Sequence, residues 1–279
     1  MSQIVYLNGK YVPLEEARIS PEDRGFLFAD GIYEVVRSYG GAFFEMDAHL
    51  SRMADGLAAL LIGGLEPAAL EPVAHTLLER NGLAGADALV YMQVTRGAAV
   101  RGHAFPNPPV PPTVYAAARQ FQPKADAIRG ITVITAPDDR WSRCNIKTTG
   151  LLANCLALQQ AVDAEATEAV LVRDGAVLEG THTSFFGVLD GVVRTAPADN
   201  YILPSITRRV TLELCRANGI PCDERALLLN ELEAADELFL AGTTMEIMPI
   251  VKLNGTPVGT GHPGPVAGRL LELFRARTP

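Results

Sequence analysis

Lysine is scarce in this chain: of 279 residues, four are lysine, namely Lys10, Lys124, Lys147 and Lys252. No run of basic residues stands out against a net charge of −8, which argues against a nucleic-acid or anionic-membrane surface. The four cysteines (Cys144, Cys155, Cys215 and Cys222) make no Cys-x-x-Cys pair and no zinc spacing. The five histidines (His49, His75, His103, His182 and His262) are scattered, so no metal site is expected. No apolar run is long enough to cross a bilayer. The opening Met1-Ser2-Gln3-Ile4-Val5-Tyr6 lacks the basic-then-apolar pattern of a secretory signal. A cytoplasmic protein with reduced thiols is therefore expected. Gly-x-Gly-x-x-Gly, Walker and Gly-x-Ser-x-Gly patterns are absent too, which removes the common dinucleotide, P-loop and nucleophile-elbow sites.

What remains is an ordinary globular composition, 48% hydrophobic and 20% charged, long enough for about two domains and a sizeable core. Hairpin signals dominate. Ile4–Leu7 and Lys10–Val12 flank Asn8-Gly9, and Ile32–Tyr39 and Ala42–Phe44 flank Gly40-Gly41. Further hairpins are expected over Asp174-Gly175, Asp190-Gly191 and Asn254-Gly255. Helices are predicted from Ala48 to about Leu61 with Asp47 as N-cap, between Pro67 and Gly82, over 149–163, from Ser205 to Gly219, and over 265–275. Strands are read at 88–95, 113–119, 131–135 and 237–241. Helices and hairpins without a regular β-α-β alternation predict an α+β chain. The domains are placed at 1–119 and 128–279, joined by a linker at 120–127, with Lys147 in the second domain.

Several segments carry chemistry, each with a plain structural alternative. Lys147 lies between a strand region and an apolar helix; a desolvated amine there would be nucleophilic toward carbonyls, and a solvated helix-start lysine is the alternative. Ser205-Ile206-Thr207-Arg208 opens a helix whose free N–H groups and hydroxyls suit a phosphate, or Ser205 is simply an N-cap. Gly242-Thr243-Thr244 follows a strand and offers similar donors. Glu179 ends a short strand, where it can pair with a protonated ring nitrogen or merely solubilise an edge. Arg96, Arg101 and His103 crowd a glycine-rich loop suited to a carboxylate, or to solvent.

In order along nearly the whole chain, these segments resemble the fold-type IV pyridoxal-phosphate enzymes, and most closely the bacterial D-amino-acid aminotransferases. The matching stretches are Glu22-Asp23-Arg24-Gly25 through Asp30-Gly31-Ile32-Tyr33-Glu34-Val35-Val36, His49-Leu50-Ser51-Arg52, and Gln93-Val94-Thr95-Arg96-Gly97 with Arg101-x-His103. They continue in Arg140-Trp141-x-Arg143-Cys144-Asn145-Ile146-Lys147, Glu179-Gly180, Ile206-Thr207-Arg208 and Thr243-Thr244-x-Glu246-Ile247. The resemblance implies a two-domain fold with hairpin-rich sheets packed against helices, and pyridoxal 5'-phosphate as cofactor. It makes Lys147 the Schiff-base lysine and the proton carrier between substrate and cofactor. It makes Glu179 the partner of the pyridine nitrogen, and Leu203 the support of the ring face. Arg52, the amides of Ile206 and Thr207, the Thr207 hydroxyl and Thr243 become the phosphate cup. Tyr33, Arg101 and His103 become the trap for the substrate carboxylate, partly supplied across a homodimer interface.

The implied reaction is a ping-pong transamination between a D-amino acid and a 2-oxo acid, with 2-oxoglutarate or pyruvate as acceptor. The Arg-x-His trap favours D-amino acids. The alternatives are a branched-chain L-amino-acid or (R)-amine transaminase of the same fold, a lyase of the aminodeoxychorismate type, and an idle cofactor-binding protein. Two positions depart from the family pattern, which often has Asn at Ser184 and Ser at Gly242. Both departures bear on how firmly the cofactor is held.

Overall fold

The computed structural model describes residues 2–122 and 129–279. The expected linker therefore falls mostly on 123–127, outside the described residues, as does Lys124. The chain divides into two compact units, one formed by 2–122 with 146–150, the other by 129–145 with 151–278.

The first unit is built on one antiparallel sheet. Its strands are β1 (Ile4–Leu7), β2 (Lys10–Pro13), β3 (Gly31–Tyr39), β4 (Ala42–Phe43), β5 (Ala88–Thr95) and β6 (Thr113–Gln120), in the order β2-β1-β6-β5-β3-β4. Alternation along the strands sends Ile32, Val36, Val90, Met92, Val114 and Ala116 into a core. There they meet Leu50, Met53 and Leu57 of α2 (Met46–Ala59) and Ala74 and Leu77 of α3 (Leu70–Arg80). The intervening residues, Tyr33, Tyr91, Gln93 and Tyr115, stay half-buried. A short helix the sequence reading passed over, α1 (Arg24–Phe28), is capped by the Asp23 side chain, which accepts the Gly25 N–H at 2.8 Å. Helix α2 starts before its expected cap: Glu45, at φ 56°, is the N-cap residue, and Asp47 sits in the first turn. A carboxylate there complements the helix dipole without capping it.

Residues 146–150 belong to this unit. The cause is local bonding and burial. Ile146 lies in the first unit's core. The Tyr33 N–H donates to the Lys147 carbonyl at 3.0 Å, and the Thr149 N–H donates to the Gly31 carbonyl at 3.0 Å. With Thr149 so engaged, the helix expected from that residue begins later, as α4 (Leu152–Asp163).

The second unit holds β7 (Ile131–Pro137), β8 (Glu168–Arg173), β9 (Ala176–Gly180), β10 (Ser184–Leu189), β11 (Val192–Arg194), β12 (Cys222–Asp223), β13 (Glu237–Gly242), β14 (Glu246–Leu253) and β15 (Thr256–Pro257). Strands β10-β13-β14-β7-β8-β9 run in that order, and β9 pairs back onto β10 at Glu179 and Ser184, closing a ring. Phe185, Leu238, Leu240, Met248, Ile250 and Val170 fill its core. Helix α4 links the parallel pair β7 and β8 in a β-α-β crossover. Helices α5 (Ile206–Ala217) and α6 (Pro265–Arg277) complete the unit.

Candidate active site

In the first unit, β3 places two consecutive side chains on opposite faces. Tyr33 points to the open face, where the Lys147 Nζ stands 4.3 Å from its ring centroid. The Lys147 backbone is tied alongside β3 by its carbonyl and by the Ile32–Thr148 bridge. Glu34 points into the core and is completely buried. It accepts from Arg52 Nε at 2.7 Å and Nη2 at 2.8 Å, and from His49 Nδ1 at 2.8 Å. His49 and Arg52 lie three residues apart on α2 and so share a face. Burial alone would raise the Glu34 pKa, but Arg52 and His49 outweigh it and hold the carboxyl at about 2. Burial pushes His49 below its usual value. Glu34 pulls the other way, and the nearby Arg52 and Lys147 charges add to burial, so the depression wins. His49 is thus a neutral donor at neutral pH.

The loop after β5 separates three residues that the sequence grouped. Arg101 and His103 are exposed, and both face the Phe28 ring, with Arg101 Cζ 5.3 Å and the His103 centroid 5.6 Å from its centroid. Arg96 is not with them. It is buried, bonds Asp30 through Nε at 2.7 Å and Nη2 at 2.9 Å, and donates to the Leu60 and Leu61 carbonyls. Arg96 is a scaffold residue whose donors are taken by Asp30 and by the backbone.

In the second unit, Glu179 sits at the end of β9, buried to 5% exposure. Arg140 Nη1 approaches its Oε1 to 2.5 Å, and Arg140 is itself gripped by Asp138 through Nε at 2.8 Å and Nη2 at 3.1 Å. Arg173 donates to the same Asp138, so cation and anion alternate toward Glu179. The Leu203 N–H, 3.2 Å from both Glu179 oxygens, ties this carboxylate to the segment leading into α5. Ser205 caps that helix, its Oγ accepting the Arg208 N–H at 3.2 Å. Ile206 and Thr207 therefore occupy its first two positions, whose N–H groups have no intrahelical acceptor. Thr243 lies half-buried in the tight turn from β13 to β14. Ser184 stands opposite Glu179 on one side and Ala241 on the other, so this turn opens from the strand end that carries Glu179.

Residues without an assigned role also shape the second unit. The turn from Glu179 to Ser184 is organised by the buried Glu168, which accepts from Thr181 Oγ1 at 2.5 Å, Ala169 N at 2.9 Å, Thr183 Oγ1 at 3.2 Å and His182 Nδ1 at 2.9 Å. Arg140, Asp138 and Glu168 give no local sign of these duties, apart from the acid–base spacing of Asp138-x-Arg140. Among the described residues no helix is long and apolar enough to cross a membrane.

A pyridoxal phosphate requires an amine, a carboxylate for its ring nitrogen and donors for a phosphate dianion. The first unit supplies the amine at Lys147 and a guanidinium at Arg52 locked in place by Glu34. The second supplies a carboxylate at Glu179, held by Arg140, and a helix N-terminus with the buried Thr207. The Ser184 Oγ, beside Glu179, is buried and has no hydrogen-bond partner among the described residues. A buried hydroxyl left unpaired is costly, and a polar ligand at this position would satisfy it. Each unit, taken by itself, carries groups of the kind such a cofactor uses.

Comparison with known proteins agrees. The family model described as amino-transferase class IV matches residues 31–253. A D-alanine aminotransferase of Staphylococcus haemolyticus is 38% identical over 272 residues, covering 97% of this chain and 96% of the relative. One from Bacillus licheniformis is 38% identical over 264 residues, covering 94% and 92%. Among solved structures, a T.th. branched-chain amino acid aminotransferase with pyridoxamine 5'-phosphate superposes with a TM-score of 0.89 at 28% identity, covering 99% of this chain and 93% of that one. The branched-chain enzyme of Escherichia coli, with a TM-score of 0.92 at 24% identity and coverage of 100% and 95%, supports the fold alone.

Proposed function

The chain belongs to the class IV aminotransferases, and we propose that it exchanges amino groups between D-amino acids and 2-oxo acids, D-alanine and 2-oxoglutarate being the reference pair. Its cofactor is pyridoxal 5'-phosphate, which when bound supplies the carbonyl that takes up the amino group and a ring that accepts electrons from the substrate Cα. Lys147 would hold the cofactor through its Nζ. Its Nζ would also serve as the base that takes the proton from the substrate Cα and holds it for return. Glu179, paired with Arg140, would hold a proton on the ring nitrogen, and Leu203 would support the ring face. Arg52, the Ile206 and Thr207 amides, the Thr207 hydroxyl and Thr243 hold the phosphate. Tyr33, Arg101 and His103 take the substrate α-carboxylate and orient its Cα–H. Part of that trap comes from a second copy in a homodimer, and the enzyme works in the cytoplasm.

The observation that carries the substrate assignment is the pairing of Arg101 and His103 around Phe28 on an exposed loop. A guanidinium and an imidazole placed together suit a carboxylate. The identity to D-alanine aminotransferases supports the same reading. The second reading, a branched-chain L-amino-acid transaminase, is favoured by the solved neighbours. The test is a half-reaction followed through the visible cofactor band with D-alanine, L-leucine and (R)-1-phenylethylamine separately. Fast bleaching by D-alanine alone is expected. Bleaching mainly by L-leucine or the amine overturns the substrate class, and bleaching by none of them moves the assignment to a lyase or an idle protein.

A further inference from the structure

The loop bearing Arg101 and His103 has no strand or helix of its own, yet one residue holds it both at its start and at the segment that carries the pair. The Arg24 backbone N–H donates to the Gly97 carbonyl at 3.0 Å, at the loop's start. The Arg24 side chain reaches the middle of the loop, where Nη1 donates to the Gly102 carbonyl at 2.6 Å and the Ala104 carbonyl at 3.2 Å, and Nη2 to the His103 carbonyl at 3.3 Å. Three successive carbonyls thus converge on one guanidinium. Arg24 is 4% exposed, and its Nε is fixed by Asp30 at 2.8 Å, the carboxylate that also anchors Arg96. Its Cζ lies 4.8 Å from the centroid of Phe28, the ring that Arg101 and His103 also face.

We propose that Arg24 is a positioning residue for substrate recognition, setting the separation of Arg101 and His103 by gripping the backbone between and beyond them. This rests on the reading that those two residues take the substrate carboxylate. Only a planar fork with several donors can address three carbonyls and stack on a ring at once; a lysine ammonium keeps the charge and loses that geometry. Both substrates of a transamination carry an α-carboxylate, so a displaced trap weakens both. Binding lost equally from ground and transition states raises KM and spares kcat.

The test is steady-state kinetics of the full-length holoenzyme with D-alanine and 2-oxoglutarate, comparing Arg24→Lys with Arg101→Ala. For Arg24→Lys, KM is expected to rise about tenfold for both substrates, with kcat within about twofold. Arg101→Ala raises both KM values as well. If Arg101→Ala raises KM and Arg24→Lys does not, the positioning role is wrong while the carboxylate trap stands. If Arg24→Lys loses kcat, cofactor and melting temperature together, Arg24 is only structural and the proposal is overturned. If Arg101→Ala leaves KM unchanged, the trap itself is misassigned and the proposal goes with it. Should Arg24→Lys not fold, Phe28→Leu removes the shared ring and is expected to show the same split; unchanged KM values there overturn the proposal.

Discussion

Arg52 and Glu34 meet through two parallel hydrogen bonds, at 2.7 and 2.8 Å, around a carboxylate with no access to water. Arg52 therefore arrives at its place already oriented, and its direction is set by a residue on the far face of β3 from Lys147. Glu34→Gln leaves the guanidinium beside an uncharged amide. Breaking a buried pair from one side costs about 3–5 kcal/mol. The variant is expected to unfold at clearly lower urea concentration and to bind pyridoxal phosphate at least about tenfold more weakly. Unchanged cofactor affinity by fluorescence titration would remove Arg52 from the phosphate cup.

The same cluster predicts how stability depends on pH. Glu34 is held at about 2 against an ordinary 4.5, so its contribution is complete above pH 4.5 and is lost as the pH falls toward 2. The full shift corresponds to roughly 3 kcal/mol. His49 is also depressed from its ordinary 6.5, here by burial. The native state resists its protonation, so stability begins to decline as the pH drops below 6.5. In both windows the unfolded chain binds more protons, and the signs agree. Urea midpoints at pH 7, 5.5 and 4 are expected to fall in that order, with the decline below pH 5 reduced in Glu34→Gln but not abolished, because Asp30, Asp138 and Glu168 are also held below the usual carboxylate range by their partners. A wild-type midpoint that holds steady down to pH 4 contradicts this account.

Lys147 is the amine placed over Tyr33, and the reaction is assigned to it alone. Borohydride reduction of the holoenzyme followed by peptide mapping is expected to find the cofactor's mass on the Lys147 peptide. Lys147→Ala is expected to carry no adduct and to lose at least about a thousandfold in turnover, the scale of a lost proton-transfer group. An adduct on Lys10 or Lys252 instead would refute the assignment.

Much of the fold was legible because its turns are written locally. Asn8-Gly9, Asp174-Gly175, Asp190-Gly191 and Asn254-Gly255 all adopt the positive φ pairs that such hairpins require. The site was legible where one short segment supplies the geometry, as with Ser205 capping α5. It was not legible where the partner lies far along the chain. Arg96 looks like a free loop cation until Asp30, 66 residues earlier, takes two of its donors. The Lys147 segment interrupts the second unit in sequence, but the buried Ile146 and the open edge of β3 draw it into the first. The ring closure of β9 on β10, which sets Ser184 against Glu179, depends on packing of the whole unit. No local signal encodes it.

Two glycines near Glu179 respond in opposite ways to an added side chain. At Gly242 a Cβ would meet Thr183 Cγ2 at 3.5 Å, an ordinary contact, and the backbone is not left-handed. Gly242→Ser is therefore expected to change stability by less than about 0.5 kcal/mol, while adding a hydroxyl beside Thr243. A hydrogen bond to a charged group adds about 1.5–3 kcal/mol, so cofactor release into buffer is expected to slow by about tenfold. At Gly180 a Cβ would overlap Thr183 Oγ1 and press on Glu168 Oε2 at 3.1 Å. Those atoms belong to the buried network that shapes the turn from Glu179 to Ser184, and they have little room to yield. Gly180→Ala is expected to destabilise the protein by about 1–3 kcal/mol and to loosen the cofactor by moving Glu179. Melting curves and cofactor release rates measured on both variants separate the two cases. Release unchanged in Gly242→Ser would mean that this turn does not reach the phosphate.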